Sequence, residues 1–257
     1  MAGLLRSLKN SVPSTFTMLN LLSGCMAVML SFHDIALAGL MVLVAGVFDF
    51  ADGLAARLLG AYSNFGRELD SLADIVSFGV APSFILFHLL RMSLVTVTPV
   101  FSLDMLSGAE TIILATSFMP VIFAAIRLAM FNLSQNQDDV FSGLPSPAAG
   151  IFIASAGYIL FTTDTGWIQQ ALLNTGVLLS MGIILSLLMV VPLPMFNIKF
   201  NHFRFTGNRI RYLFVLPSIL LLVWLGIMAI PVIIIWYILL SLILVFSPER
   251  EDQSQPA

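Results

Sequence analysis

The chain has 257 residues, 59% of them hydrophobic and only 10% charged, and its mean hydropathy is +1.01. Such values exclude an ordinary soluble domain and place the chain in a bilayer. The formal net charge of −3 says little about partners, because in a membrane protein the placement of charge matters more than its sum. Cys25 is the single cysteine, which excludes an intramolecular disulfide framework and a cysteine-based zinc site.

In chain order, the first ten residues, MAGLLRSLKN, lack a signal cleavage site and read as a short amphipathic surface helix with Leu4, Leu5 and Leu8 on one side. Apolar runs long enough to span, given some tilt, follow at 15–32, 36–59, 74–95, 111–131, 147–163, 168–190, 213–229 and 232–247. Eight transmembrane helices are therefore expected, the last two as a hairpin broken at Ile230-Pro231 or as one kinked re-entrant element. With the N-terminus inside, every lysine and arginine except Arg91 falls on the cytoplasmic side or at that helix end, as the positive-inside rule requires. The residues from Ser247 onward read as a short disordered tail.

The first span carries Pro13, Thr17, Asn20 and Gly24 on one stripe. A polar and small stripe in a membrane helix faces protein or a cavity rather than lipid. Thr17 and Asn20 either bond to neighbouring helices or line a ligand site.

Residues 49–82, DFADGLAARLLGAYSNFGRELDSLADIVSFGVAP, organise the rest. Asp49, Asp52, Gly53 and Ala56 fall at i, i+3, i+4 and i+7, one stripe on a helix. Asp70 and Asp74 repeat the pattern at i, i+4, with Gly66 one turn earlier. If the two helices are antiparallel neighbours, four carboxylates converge, and in a low-dielectric setting they cannot all stay ionised unaided. Divalent cations resolve the conflict. Oxygen ligands with no nearby His or Cys favour Mg²⁺ or Mn²⁺ over zinc, and such ions keep positions open for substrate phosphates. Pairing with Arg57 and Arg67 is the structural alternative, but two arginines cannot neutralise four carboxylates.

Arg127 lies at the cytoplasmic end of its helix and either snorkels to headgroups or faces the aspartates and holds an anion. Asn132 is close by in sequence, and both are candidates for acceptor or phosphate binding on location alone. Asp138 and Asp139 read as solvated loop charges, and the sequon Asn132-Leu133-Ser134 is placed inside. His33, His88 and His202 have no partner at ligand spacing and read as structural. The basic, aromatic stretch from Lys199 to Tyr212 suits anionic lipid headgroups better than nucleic acid.

The spacing D-x2-D-G-x2-A-R-x8-G-x3-D-x3-D, from Asp49 to Asp74, resembles the signature of the CDP-alcohol phosphotransferase family with no position missing. FTMLNLLSGCMA, FGRELDSLADIVSFGVAP, RLAMFN and FSGLPSPAA further resemble the membrane-integral branch that uses serine as acceptor. The resemblance implies an all-α bundle: a six-helix core within 1–190, a basic loop and an added helix pair over 191–247, and a tail at 248–257. It implies that Asp49, Asp52, Asp70 and Asp74 bind two metal ions and that Asp74 is also the general base. It implies that Ser14, Thr17, Gly53, Ala56, Arg57, Ser63 and Gly66 contact CDP-diacylglycerol. Asn20, Arg127 and Asn132 are left as tentative acceptor or phosphate ligands. The implied reaction moves the phosphatidyl group of CDP-diacylglycerol to L-serine and releases CMP at the cytoplasmic face of a bacterial-type inner membrane. A homodimer is implied, and no nucleic-acid partner. The alternatives are a family member using a phosphorylated acceptor, which needs a richer basic pocket, a cation transporter, which needs polar residues continuing to the far face, and a membrane scaffold.

Overall fold

The computed structural model describes residues 2–61, 63–94, 107–133, 143–196 and 208–246. The described residues are helical, with no strand among them. Helix α1, Ala2–Ser31, runs unbroken through Pro13, so the surface helix expected for the first ten residues is continuous with the first span, Val12–Ser31. Proline removes one helical hydrogen bond but holds φ at a helical value, and nothing else in that stretch turns the chain. The side chains of Leu4, Leu5 and Leu8 lie outside the described residues.

Asp34 accepts a hydrogen bond from the Leu37 amide at 2.9 Å and so caps α2, Ile35–Leu59. Helix α2 packs antiparallel along α1 through small side chains, among them the fully buried Ala27, Ala38 and Ala45. Close approach of backbones is how helices gain contact where lipid is as apolar as the protein. Gly60, in the left-handed region at φ +59°, ends α2. Ser63 caps α3, Asn64–Asp74, by accepting from the Gly66 amide at 2.9 Å.

After Asp74 the helix widens into a π turn, Ile75–Val80, before continuing as α4, Ala81–Leu94. Neighbouring helices hold this turn open. The Ser77 hydroxyl donates to the Asn20 carbonyl of α1 at 2.9 Å. A Cβ on Gly24 would lie 2.8 Å from the Ser77 Cα, and one on Gly150 would lie 2.7 Å from the Phe78 carbonyl oxygen. Missing side chains on α1 and on α7, Ser146–Thr162, thus let the wide turn seat. Irregular helical turns of this kind persist only where surrounding structure fixes them.

Helix α5, Gly108–Thr116, begins with a Ser107/Glu110 capping box, and a short break at Ser117 and Phe118 leads into α6, Met119–Leu133. Beyond α7, helix α8, Gly166–Leu172, meets α9, Thr175–Val190, at 62°. The core lies where α4, α7 and α9 meet, around the fully buried Phe78, Ile85, Leu86, Leu89, Ile153 and Leu178.

Among the described residues five helices are long and apolar enough to cross a membrane, or six if the bent α8–α9 pair is one span. One of the five is the stretch Arg209–Leu244, which folds back on itself. Helix α10, Arg209–Leu225, turns through Gly226–Met228 into α11, Ala229–Phe246. The Trp236 indole donates to the Leu213 carbonyl at 3.3 Å, and the Phe214 and Tyr237 rings meet at 5.7 Å. The break falls at Gly226, at φ +56°, and not at Ile230-Pro231. Pro231 sits in the first turn of α11, where its missing N–H costs nothing.

Substituting Gly150 by alanine is expected to force Phe78 aside and destabilise the protein by about 1–3 kcal/mol, seen as a lower thermal midpoint in detergent. Gly53→Ala, where a Cβ meets nothing within 4 Å, is the contrasting variant and keeps the midpoint or raises it slightly. Equal midpoints for Gly150→Ala and wild type would show that the π turn is not held by this contact.

Candidate active site

Helices α2 and α3 bring Asp49, Asp70 and Asp74 together, with one carboxylate oxygen of each lying within 4.8 Å of the others. Asp52, one turn beyond Asp49, is not one of this group; its carboxylate accepts a hydrogen bond from the Thr17 hydroxyl. The same hydroxyl lies 3.1 Å from the Pro13 carbonyl. Asn20, fully buried on α1, donates from Nδ2 to Asp74 Oδ1 at 3.1 Å. The polar stripe of the first helix therefore faces the aspartates, and two of its members hold their orientation.

Among the described residues the carboxylates have no arginine in an ion pair with them. The one ion pair among the described residues joins Arg67 and Glu68 at 3.8 Å, both exposed, a kind of contact worth little. Pairing of the aspartates with Arg57 and Arg67 is thereby set aside. Asp74 is buried, and Asp70 Oδ1 is buried without a hydrogen-bond partner. Two oxygens on opposite sides of one Mg²⁺ lie about 4.2 Å apart, so the three carboxylates fit a hard divalent ion after a shift of side-chain size.

Around the cluster one side is open. Gly53 faces free space, with nothing within 4 Å of a hypothetical Cβ, Ala56 is half-buried, and Arg57 is exposed. Ser14 is half-buried one turn before Thr17. Ser63 and Gly66 are engaged with each other as the cap of α3. Arg127 on α6 turns inward: its Nε is buried and unpartnered, and Asp74 is near enough to act on it electrostatically.

Asn132 is brought to a different surface. Its Nδ2 donates to the Ser71 hydroxyl at 3.1 Å and lies 3.5 Å from Glu68, on the flank of α3 rather than on the face of Asp70 and Asp74. There it lines a groove of about 460 Å³ whose polar end holds Glu68, Ser71 and Asn132 and whose walls include Leu72, Ile75 and Leu128. The π turn and its Ser77 contact were not legible in the sequence; the signal available was the small residue Gly24 opposite Ser77. Asp138, Asp139, His202 and most of 199–212 lie outside the described residues.

A family model described as CDP-alcohol phosphatidyltransferase matches residues 10–187. Among curated proteins, a CDP-diacylglycerol--serine O-phosphatidyltransferase of Bacillus subtilis is 34% identical over 197 residues, 76% of this chain and 92% of that protein. One of Helicobacter pylori is 33% identical over 196 residues, covering 75% of this chain and 72% of the relative. One of Methanocaldococcus jannaschii is 31% identical over 137 residues, 53% of this chain and 55% of its own length.

Replacing Asn20 by leucine removes the donor that orients Asp74 and is expected to weaken Mn²⁺ binding about 10- to 100-fold, as loss of outer-shell partners does elsewhere. Electron paramagnetic resonance of free Mn²⁺ reads this directly. An unchanged affinity would show that Asn20 does not organise the carboxylates.

Proposed function

Because the chain belongs to the CDP-alcohol phosphatidyltransferase family, we propose that it transfers the phosphatidyl group of CDP-diacylglycerol to the hydroxyl of L-serine, giving phosphatidylserine and CMP. The observation that carries this reading is the convergence of Asp49, Asp70 and Asp74 within 4.8 Å, in a chain whose similarity to a serine phosphatidyltransferase spans 92% of that relative.

Asp49, Asp52, Asp70 and Asp74 would hold two divalent ions, Mg²⁺ or Mn²⁺, which when bound neutralise the phosphate charge that builds during transfer. Asp74 takes the proton of the serine hydroxyl as its oxygen bonds to the lipid-side phosphorus and the bond to the CMP oxygen breaks. Asn20 fixes the rotamer of Asp74 through one carboxylate oxygen. A carboxylate is a modest base, so this placement matters more than its basicity. The open space at Gly53 admits the pyrophosphate against α2, and Arg57 braces the departing CMP. The unpartnered Nε of Arg127 offers a charge-assisted hydrogen bond to the serine carboxylate. Ser14, Thr17, Ala56, Ser63 and Gly66 border the nucleotide side. Asn132 is assigned to the adjoining groove, whose polar end and apolar walls suit the glycerol and upper acyl region of a lipid.

Few bases stand near the cluster, which favours an acceptor without a phosphate of its own. A cation pathway is disfavoured, because fully buried Phe78, Ile85, Leu86 and Leu89 fill the bundle between the aspartates and the far face. We read α7 and each arm of the α10–α11 hairpin as spans too, giving eight crossings with the aspartates on the cytoplasmic side.

Purified protein is expected to release CMP from CDP-diacylglycerol with serine and Mg²⁺ or Mn²⁺, and Asp74→Asn to lose about 10²–10⁴-fold. In sealed vesicles, serine added outside supports release only when the cytoplasmic face points outward. Release with glycerol 3-phosphate or an inositol phosphate and none with serine would overturn the acceptor; release in vesicles of the opposite orientation would overturn the topology.

A further inference from the structure

At the opposite end of the bundle from the aspartates is a cavity of about 440 Å³, where the α1–α2 turn meets the last turns of α4 and α7. Arg91 there follows Asp74 by seventeen positions in a nearly continuous helix, about 25 Å at the standard rise, so the two sites lie near opposite membrane faces. Arg91 is also the one base that departs from the cytoplasmic bias of the sequence.

Three kinds of chemistry meet in this cavity. His88 lines it and is only 6% exposed, yet its Nε2 is buried with no hydrogen-bond partner. Phe32 and Phe87 hold the imidazole edge-on, with ring centroids 4.9 and 5.4 Å away, so the ring is fixed in place and its ring nitrogen lacks a partner. A buried polar atom kept without a partner is costly. Arg91, one turn on, brings a guanidinium to the lining of the same cavity, and Asp34 brings a carboxylate. The rim is apolar and exposed: Phe32 is 58%, Phe161 49% and Met92 40% accessible, an arrangement that meets lipid rather than water.

We propose that this cavity is a second lipid site, taking the headgroup of a phospholipid that carries both a phosphate and an ammonium. The phosphate sits on Arg91 and His88, a charge-assisted pairing well suited to a guanidinium. The ammonium faces Asp34. The glycerol and upper acyl carbons lie along Phe32, Met92 and Phe161. A ligand with phosphate alone leaves Asp34 facing negative charge, and a free inorganic ion leaves the apolar lip unused. The volume falls in the range of small-ligand pockets. This site is independent of the reaction assigned to the aspartates.

The test is retention of lipid by the detergent-purified full chain in native mass spectrometry, with phosphatidylethanolamine, phosphatidylglycerol and inorganic phosphate offered separately and in competition. Wild type is expected to retain phosphatidylethanolamine over phosphatidylglycerol. Arg91→Gln, with an unchanged thermal midpoint, is expected to lower that retention about ten-fold, the effect of losing one charge-assisted hydrogen bond. Asp34→Asn keeps the cap of α2, since asparagine caps as well as aspartate, and is expected to erase the preference between the two lipids. Equal retention of both lipids by wild type, or undiminished retention by Arg91→Gln, would overturn the proposal. Displacement of the lipid by inorganic phosphate at equal concentration would overturn it as well, leaving a bare anion site.

Discussion

The repulsion among Asp49, Asp70 and Asp74, whose oxygens crowd within 4.8 Å inside an apolar bundle, is the constraint on which the rest of the structure depends. Carboxylates so placed separate, take up protons or are bridged by a cation, and among the described residues no arginine forms an ion pair with them. The surrounding scaffold resists their separation. Thr17 holds Asp52, Asn20 holds Asp74, and both stand on the buried face of α1. The π turn after Asp74 is fastened to that helix through Ser77 and the Asn20 carbonyl, so one residue, Asn20, ties the carboxylate and the irregular backbone behind it.

This arrangement divides the site into a rigid back and an open front. The back consists of α1, the π turn and α7, joined where Gly24 and Gly150 offer no side chain. The front is the free space at Gly53, the exposed Arg57 and the inward Arg127, where the proposed reaction would bring lipid pyrophosphate and acceptor together. The C-terminal hairpin, beyond the region matched by the family, is not remote from this front. Tyr237 of α11 lies near Arg127, and its hydroxyl donates to the Phe196 carbonyl at 3.2 Å.

Much of this was legible in the sequence, for physical reasons. Helical periodicity put Asp49, Asp52 and Gly53 on one stripe and Asp70 and Asp74 on another, and the polar residues Thr17 and Asn20 marked the buried face of α1. The partners of those two residues were not legible, because a buried amide can bond to a helix neighbour or a ligand with the same spacing. The surroundings of Asn132 were not legible for a related reason: nearness to Arg127 in sequence says nothing about which flank of α3 it meets. The π turn left no pattern of its own, since its cause is the fit of Ser77 and Phe78 against glycines far away in the chain. Hydropathy marked the last two helices as a pair but set their turn at Pro231, whereas the chain turns at Gly226 and uses the proline to begin α11.

The central claim, that the aspartates form a divalent-cation centre held by α1, is tested most directly by anomalous diffraction from crystals grown with Mn²⁺. Manganese peaks are expected within about 2.3 Å of carboxylate oxygens of Asp49, Asp70 and Asp74, and are expected to be lost in Asp70→Asn. Saturating Mn²⁺ with no peak at these carboxylates, or peaks that persist unchanged in that variant, would contradict it.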